Sequence, residues 1–471
     1  MLKKSLIYSL LVVGLFLRIW GIGEKSLWLD EAVSFHYADP FHKNILSLVE
    51  EVRKVDAHPP LYYLLLHIWL KPIRWFQGKR VINYPRQVIS ERILRFPSFI
   101  FAFFSLLLFY ILEREAGGKG WGTILFSFSA YHIYYAQEAR NYSLVVMLAL
   151  LSFLPLIREF KGRWLLLFLV WLAGIYTYLY FSLLILSQVI WWIGFKRGKE
   201  RYFPITGILL AVLILFLPYF PSLWRRITTL PPLPFSVNPL YRVFSFIYTP
   251  VHFTLGEVLP YPSYLILLLF FLVMALVLFP FFQPVKEKEL LFLLSFLIPL
   301  ILGISIPLRS HIFDPKFLIF SLPSLYLLFS FSLKDLKTRF SPFFFTLILL
   351  GNILSLSLYF SPSLEKEDWR GLVRWVERRE GEKKGVVLFN PDYIGYAFDY
   401  YYGGRMRRRG YKGREEFDSP RVFLVEDFSP VSFPGEGVEK ELRKSFFKEE
   451  EKIFPGYIGR LRVSIWKRKG G

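Results

Sequence analysis

Three short stretches hold side chains whose types and spacing suit chemistry. Trp28-Leu29-Asp30-Glu31-Ala32 sets two carboxylates side by side just past a first apolar run. Gln137-Glu138-Ala139-Arg140-Asn141-Tyr142 puts a third carboxylate and a guanidinium in a short connection between two further apolar runs. His58-Pro59-Pro60 places a titratable ring before a proline pair. Each also has a plain structural reading. The acidic pair favours the start of a helix near Ala32, Glu138 and Arg140 form an internal ion pair in an ordinary loop, and the prolines make a rigid helix start beside an incidental histidine. Ionisable groups at a membrane boundary carry a high desolvation penalty, however, and are functional candidates for that reason. Together, two carboxylate sites and several cations at an interface suit a reaction on a phosphate-linked lipid. A carboxylate takes the proton of an acceptor hydroxyl while cations hold a leaving phosphate.

The elements that must position these residues are apolar helices. Of 471 residues, 54% are hydrophobic and 19% aromatic, and the mean hydropathy is +0.39. Soluble domains are about 45–50% apolar even with glycine counted. Disordered, collagenous and disulfide-stapled chains are excluded, the last because there is no cysteine. The expectation is a polytopic α-helical membrane protein. About 20 apolar residues cross a bilayer. Suitable runs lie at residues 5–20, 93–112, 121–135, 142–157, 164–177, 179–195, 202–217, 264–282, 290–306, 317–333 and 342–360. This gives about eleven transmembrane helices, with a range of 11 to 13. A further apolar piece, 61–70, is short for a span and suits a re-entrant or interfacial helix.

Orientation follows from the short basic loops. Met1-Leu2-Lys3-Lys4 and loops 113–119, 158–163, 196–201, 286–289 and 334–339 read as cytoplasmic. Loops 21–92, 137–141, 218–262 and 307–316 and the C-terminal tail then face outside. All three chemical stretches fall on that outer face. One outer segment, 71–92, is anomalously basic, with Lys71, Arg74, Lys79, Arg80, Arg86 and Arg92. The first span reads as uncleaved, because its exit Arg18-Ile19-Trp20-Gly21 carries no small-x-small cleavage site. Segment 218–262, rich in proline and aromatics, reads either as a lid or as an amphipathic segment on the bilayer. Charge agrees with a membrane setting: 58 basic against 37 acidic residues give +21, of which +16 lies in residues 1–360. That is the pattern of cytoplasmic loops and anionic lipid contacts, and no nucleic-acid partner is expected.

From residue 361 the composition changes, with 24 basic and 19 acidic residues. A helical pattern from Trp369 to Glu377 precedes strand-like runs at Val386-Val387-Leu388-Phe389, Val422-Phe423-Leu424-Val425 and Leu461-Arg462-Val463-Ser464-Ile465-Trp466. Alternating helices and short apolar strands indicate a small α/β domain. The expected organisation is a membrane domain over 1–360, whose first outer loop 21–92 carries juxtamembrane helices, and an extracytoplasmic α/β domain over 361–471.

Four motifs carry a family resemblance. Leu27-Trp28-Leu29-Asp30-Glu31, His58-Pro59-Pro60-Leu61-Tyr62-Tyr63, Arg95-Phe96-Pro97-Ser98 and Tyr131-His132-Ile133-Tyr134-Tyr135-Ala136-Gln137-Glu138-Ala139-Arg140-Asn141-Tyr142 stand in order. They resemble the protein mannosyltransferase and aminoarabinose transferase branch of the GT-C glycosyltransferases. The likeness is close over most of the first 160 residues. It is looser at Asp314-Pro315-Lys316-Phe317-Leu318 and Glu367-Asp368-Trp369-Arg370. The resemblance implies a GT-C fold in a cell membrane and transfer of a sugar from a polyprenyl-phosphate (undecaprenyl-phosphate) donor to an acceptor lipid, glycan or protein. It makes Asp30 the catalytic base, Glu31 its companion and Glu138 the second acidic residue. It makes His58, Arg92, Arg140 and Tyr142 substrate-binding or lipid-phosphate-binding candidates. Lys316 stands where the family usually carries arginine, keeping the charge without the bidentate fork.

The mechanism so implied is a single displacement that inverts the anomeric carbon. It requires no cofactor, although Asp30, Glu31 and Glu138 are oxygen ligands suited to a divalent cation such as Mg or Mn. Walker loops, His-Glu-x-x-His, Cys/His clusters and an aspartate-rich nucleotide-sugar motif are absent from the sequence. The rival reading is a transporter or flippase for a phosphate-linked lipid. It calls for inverted repeats or matched broken helices, and the sequence has no such symmetry.

Overall fold

The computed structural model describes residues 4–56, 58–77, 89–195, 203–229, 239–260, 263–282, 286–305, 313–336, 340–381, 385–412, 419–428 and 437–469. Its internal contacts divide the chain into two units. One comprises Met1–Trp20, Ile45–Leu65 and Phe96–Tyr359, and the other Gly21–Asn44, Leu66–Arg95 and Phe360–Gly471. Neither unit is contiguous in sequence. The chain changes unit inside two helices, Leu61–Gln77 and Glu91–Glu115.

The first unit is helical because its sequence is apolar over lengths that a membrane demands. Among the described residues, Glu91–Glu115, Pro204–Arg225, Leu265–Phe282, Pro315–Asp335 and Phe340–Tyr359 are long and apolar enough to cross a bilayer. Shorter apolar helices include Tyr142–Ile157, Arg163–Thr177 and Phe181–Phe195. The Leu322–Asp335 helix has residues 322–333 buried on every side, which makes it the central element of this unit. It packs against Trp121–Ser127, Glu287–Ser305 and Phe340–Tyr359. A Cβ at Gly122 would stand 2.8 Å from the Ser330 Cβ and the Tyr326 carbonyl oxygen. The small residue therefore allows the close helix approach on which packing in membranes depends.

The structure corrects two expectations. The third span, 121–135, is not one helix. It is split into Trp121–Ser127 and Ala130–Ala136. A break at membrane depth is tolerated only where the released backbone groups find partners, and they do. Buried Arg18 donates to the Phe126 and Ser127 carbonyls at 2.9 and 2.8 Å. Asn352 Oδ1 accepts from Ala130 N at 2.7 Å. The expected short helix at 61–70 runs to Gln77, a length of 17 residues. Within segment 218–262 the described residues include helices Phe220–Thr229 and Pro239–Leu255. Lys79, Arg80 and Arg86 of the basic outer segment lie outside the described residues.

The second unit contains a five-stranded mixed sheet. Its strands are β1 (Gly385–Asn390), β2 (Arg407–Gly410), β3 (Arg421–Asp427), β4 (Phe446–Pro455) and β5 (Arg460–Arg468), in the order β2-β1-β3-β5-β4. β1 pairs in parallel with β2 and β3, and β5 runs antiparallel to β3 and β4. All six residues of β1 are buried, as befits a continuous apolar run between parallel neighbours. Val386, Leu388, Val422, Leu424 and Trp466 form a core with Val438 and Leu442 of the Val438–Ser445 helix.

Candidate active site

In the second unit the carboxylate pair stands in the first turn of a helix, Leu29–Ala38, where acidic side chains meet the positive end of the helix. Glu31 is fully buried and bound by buried Arg95. Nε and Nη2 of Arg95 donate to the two Glu31 oxygens, each at 2.7 Å. Nη1 donates to the carbonyls of Ile22 and Lys25, and Nη2 also to that of Ser26, all at 3.0 Å. All five guanidinium N–H groups are therefore used, and the turn between Gly21 and the helix is fixed in position. Asp30, the residue before Glu31, is only half-buried. Arg92 is exposed, and its stem lies against Gly23, where a Cβ would meet the Arg92 Cγ at 2.2 Å.

The tail closes this turn from the other side. Glu367, 1% exposed, accepts from Leu29 N at 3.0 Å and from Trp369 Nε1 at 2.7 Å. It thereby supplies the helix with a cap that Trp28 cannot provide. Burial, with Asp427 beside it, pushes the Glu367 carboxyl up to about 8. Lys366 is buried with its ammonium 4.6 Å from the centre of the Trp28 ring. Burial holds its pKa well below the usual lysine value, against the opposing pull of Glu31 and Asp30. The raised Glu367 carboxyl has a consequence for stability. Between about pH 5 and 8 the unfolded chain has lost this proton while the folded one keeps it, so stability falls as pH rises through that window. Glu367→Gln is expected to flatten the fall, as read from thermal unfolding of the purified chain across that pH range.

In the first unit a second polar cluster gathers His58, Arg140 and Tyr142. Asp56 accepts from His58 N at 2.6 Å and from the Tyr63 hydroxyl at 3.1 Å, and Arg140 Nη1 donates to that hydroxyl at 3.2 Å. The His58 ring stacks on Tyr178 with centroids 5.1 Å apart. Tyr178 is pushed up by burial first, then by Tyr142, Tyr180 and Asp314, with Arg140 opposing. Asp314 also acts electrostatically on Tyr178, and the Lys316 ammonium lies 3.2 Å from the Asp314 carboxylate. Glu138 is 2% exposed, in the tight turn where Arg140 N donates to its carbonyl at 2.8 Å. Tyr142 is buried and meets Tyr135 edge-on.

The candidates thus divide between the units, with Asp30, Glu31 and Arg92 in one and His58, Glu138, Arg140, Tyr142 and Lys316 in the other. Among the described residues no group of three or more Asp, Glu or His side chains is placed to hold a metal ion. Sequence reasoning missed Arg95 as the partner of Glu31, and Lys366, Asp56 and Tyr178 altogether. The signals were present for two of them. Asp56 stands two residues before His58, and Lys366 immediately precedes the Glu367 motif.

No protein-family model and no curated protein matches the chain. Among solved structures, ArnT from Cupriavidus metallidurans bound to undecaprenyl phosphate is 9% identical, with 98% of each chain covered and a TM-score of 0.55. The same protein in the apo state is 10% identical over 98% of each chain, with a TM-score of 0.54. The likeness is one of fold and extends over both units. The chain has the GT-C architecture that its motifs resemble.

Proposed function

We propose that this chain, built on the GT-C fold, moves a sugar from a polyprenyl-phosphate carrier to an acceptor hydroxyl at the outer face of a cell membrane. The observation that carries the reading is the Asp30–Glu31 turn. Glu31 binds Arg95 through both of its oxygens, and this helps fix the backbone that presents the half-buried Asp30. The likeness to a protein whose structure holds undecaprenyl phosphate supports the choice of donor.

In the proposed reaction Asp30 takes the proton of the acceptor hydroxyl as its oxygen bonds to the anomeric carbon. The bond from that carbon to the phosphate oxygen breaks, and the carrier phosphate leaves with the electron pair. One displacement inverts the configuration. Arg140, Lys316, His58 and Arg92 supply positive charge to the lipid phosphate, Arg140 with the planar fork that suits it. Glu138 and Tyr142 orient the substrate, and Glu31 is a positioning residue. The reaction as proposed uses no metal ion. The N-terminus lies in the cytoplasm and the sheet-bearing tail outside.

The donor assignment is tested by binding of undecaprenyl phosphate to the purified full chain in nanodiscs. Arg140→Gln and Lys316→Gln are each expected to weaken binding about tenfold, the loss of a charge-assisted contact. Wild-type affinity in both would remove these residues from phosphate binding.

A further inference from the structure

We propose that Tyr401 of the tail is a positioning residue for the reaction, its hydroxyl fixing the stretch of chain that leads into Asp30. The proposal rests on the reading of Asp30 as base and adds a residue that no motif assigns.

Residues 21–28 form turns and extended chain, with no helix or strand to satisfy their backbone groups. Leu27 is fully buried, so its N–H needs a partner from elsewhere. The tail supplies partners along the whole stretch. Ser26 N donates to Glu365 Oε2 at 3.0 Å, Leu27 N to the Tyr401 hydroxyl at 2.7 Å, and Leu29 N to Glu367. Arg370 Nη1 donates to the Glu24 carbonyl at 2.9 Å, and Arg370 N to the Ser26 hydroxyl at 3.2 Å.

Tyr401 joins this hold to a second one. Its hydroxyl accepts from Leu27 N and donates to Glu91 Oε1 at 3.1 Å. The same Glu91 oxygen accepts from Arg370 Nη2 at 2.7 Å. Glu91 opens the Glu91–Glu115 helix, and one turn further on Arg95 binds Glu31. At this spacing the two side chains share a helix face. The Tyr401 ring is itself buried and meets Tyr400 edge-on. Tyr400 in turn meets Phe35 of the Leu29–Ala38 helix edge-on, and its hydroxyl donates to the Ile89 carbonyl. Phenylalanine at 401 keeps this packing and removes one oxygen. It strands the buried Leu27 N three residues before Asp30. A shift of about 1 Å in a reacting group costs up to about 10²-fold in rate. The lipid-phosphate candidates His58, Arg140 and Lys316 belong to the first unit, so the effect should fall on turnover and leave donor binding alone.

The test is a double-variant comparison in proteoliposomes with synthetic undecaprenyl-phosphate sugars. Tyr401→Phe is expected to lower kcat about tenfold with KM for the donor unchanged. In an Asp30→Asn background the same substitution should cost nothing further, because the residue it positions is gone. Parental kcat in Tyr401→Phe overturns the proposal. So does an equal loss in both backgrounds, or a loss carried wholly by KM, since either would show a role not exercised through Asp30. Hydrogen exchange of the parent, read by mass spectrometry, needs neither a variant nor a donor. The Leu27 amide is expected to exchange as slowly as the interior amides of the Leu29–Ala38 helix, and free exchange there would remove the contact on which the proposal depends. Loss of the base reading is seen separately: Asp30→Asn transferring sugar at the parental rate removes Asp30 as base whatever Tyr401→Phe does.

Discussion

Asp30→Asn is expected to cut sugar transfer by about 10²–10⁴-fold, the contribution of a positioned general base. The substitution is nearly isosteric and replaces a proton acceptor by an amide that cannot take the hydroxyl proton. Its structural consequence is small. Asp30 is half-buried in the first turn of the Leu29–Ala38 helix, where loss of a negative charge costs about 0.3–1 kcal/mol. The turn itself is held by Arg95 and Glu367, which the substitution does not touch. The variant should bind undecaprenyl phosphate like the parent and melt within a few degrees of it. Radiolabelled product formed by parent and variant in parallel gives the comparison. Transfer at the parental rate would end the assignment of Asp30 as base.

Arg95→Leu is expected to destabilise the fold by about 3–5 kcal/mol, because it strands a buried carboxylate. Glu31 has no exposed surface, and the carbonyls of Ile22, Lys25 and Ser26 lose their donor together with it. Transfer falls too, since these contacts hold the turn that carries Asp30. Arg95→Lys keeps the charge and lacks the planar fork, so it should lie between Leu and the parent. The sign of the double variant is the more telling result. Glu31→Leu with Arg95→Leu removes both charges and should be less destabilised than Arg95→Leu alone, as read from unfolding followed by tryptophan fluorescence. A double variant that is worse than the single one would show that the pair is not the unit holding this turn.

The sequence made the helices legible because apolar runs of bilayer length leave little choice of structure. In the tail, β1, β3 and β5 were legible for the same kind of reason, as short apolar runs. β2 was not, because Arg407, Arg408 and Arg409 are all exposed at the edge of the sheet and carry no apolar pattern. β4 was hidden likewise by its charged run Lys448-Glu449-Glu450-Glu451-Lys452. The break at Phe128 and Ser129 could not be seen in a run that is apolar on both sides of it. It depends on Arg18 and Asn352, more than 100 residues away. At the site, the sequence shows Asp30 and Glu31 side by side just past the first apolar run, and the structure puts both in the first turn of one helix. Their environment could not be read from the sequence, since it is made by Arg95 from one segment and by Lys366 and Glu367 from the tail. Contacts of that range leave no periodic signal.

Transfer of sugar from a polyprenyl-phosphate carrier by one inverting displacement is the reaction proposed for this chain. It is tested most directly by incubating the purified chain in proteoliposomes with a panel of synthetic undecaprenyl-phosphate sugars and a cell-envelope lipid extract, and determining the anomeric configuration of any product by NMR. A product with the configuration opposite to that of the donor, formed by the parent and not by Asp30→Asn, is the expected result. A product that retains the donor's configuration, or that forms equally well with Asp30→Asn, would contradict it.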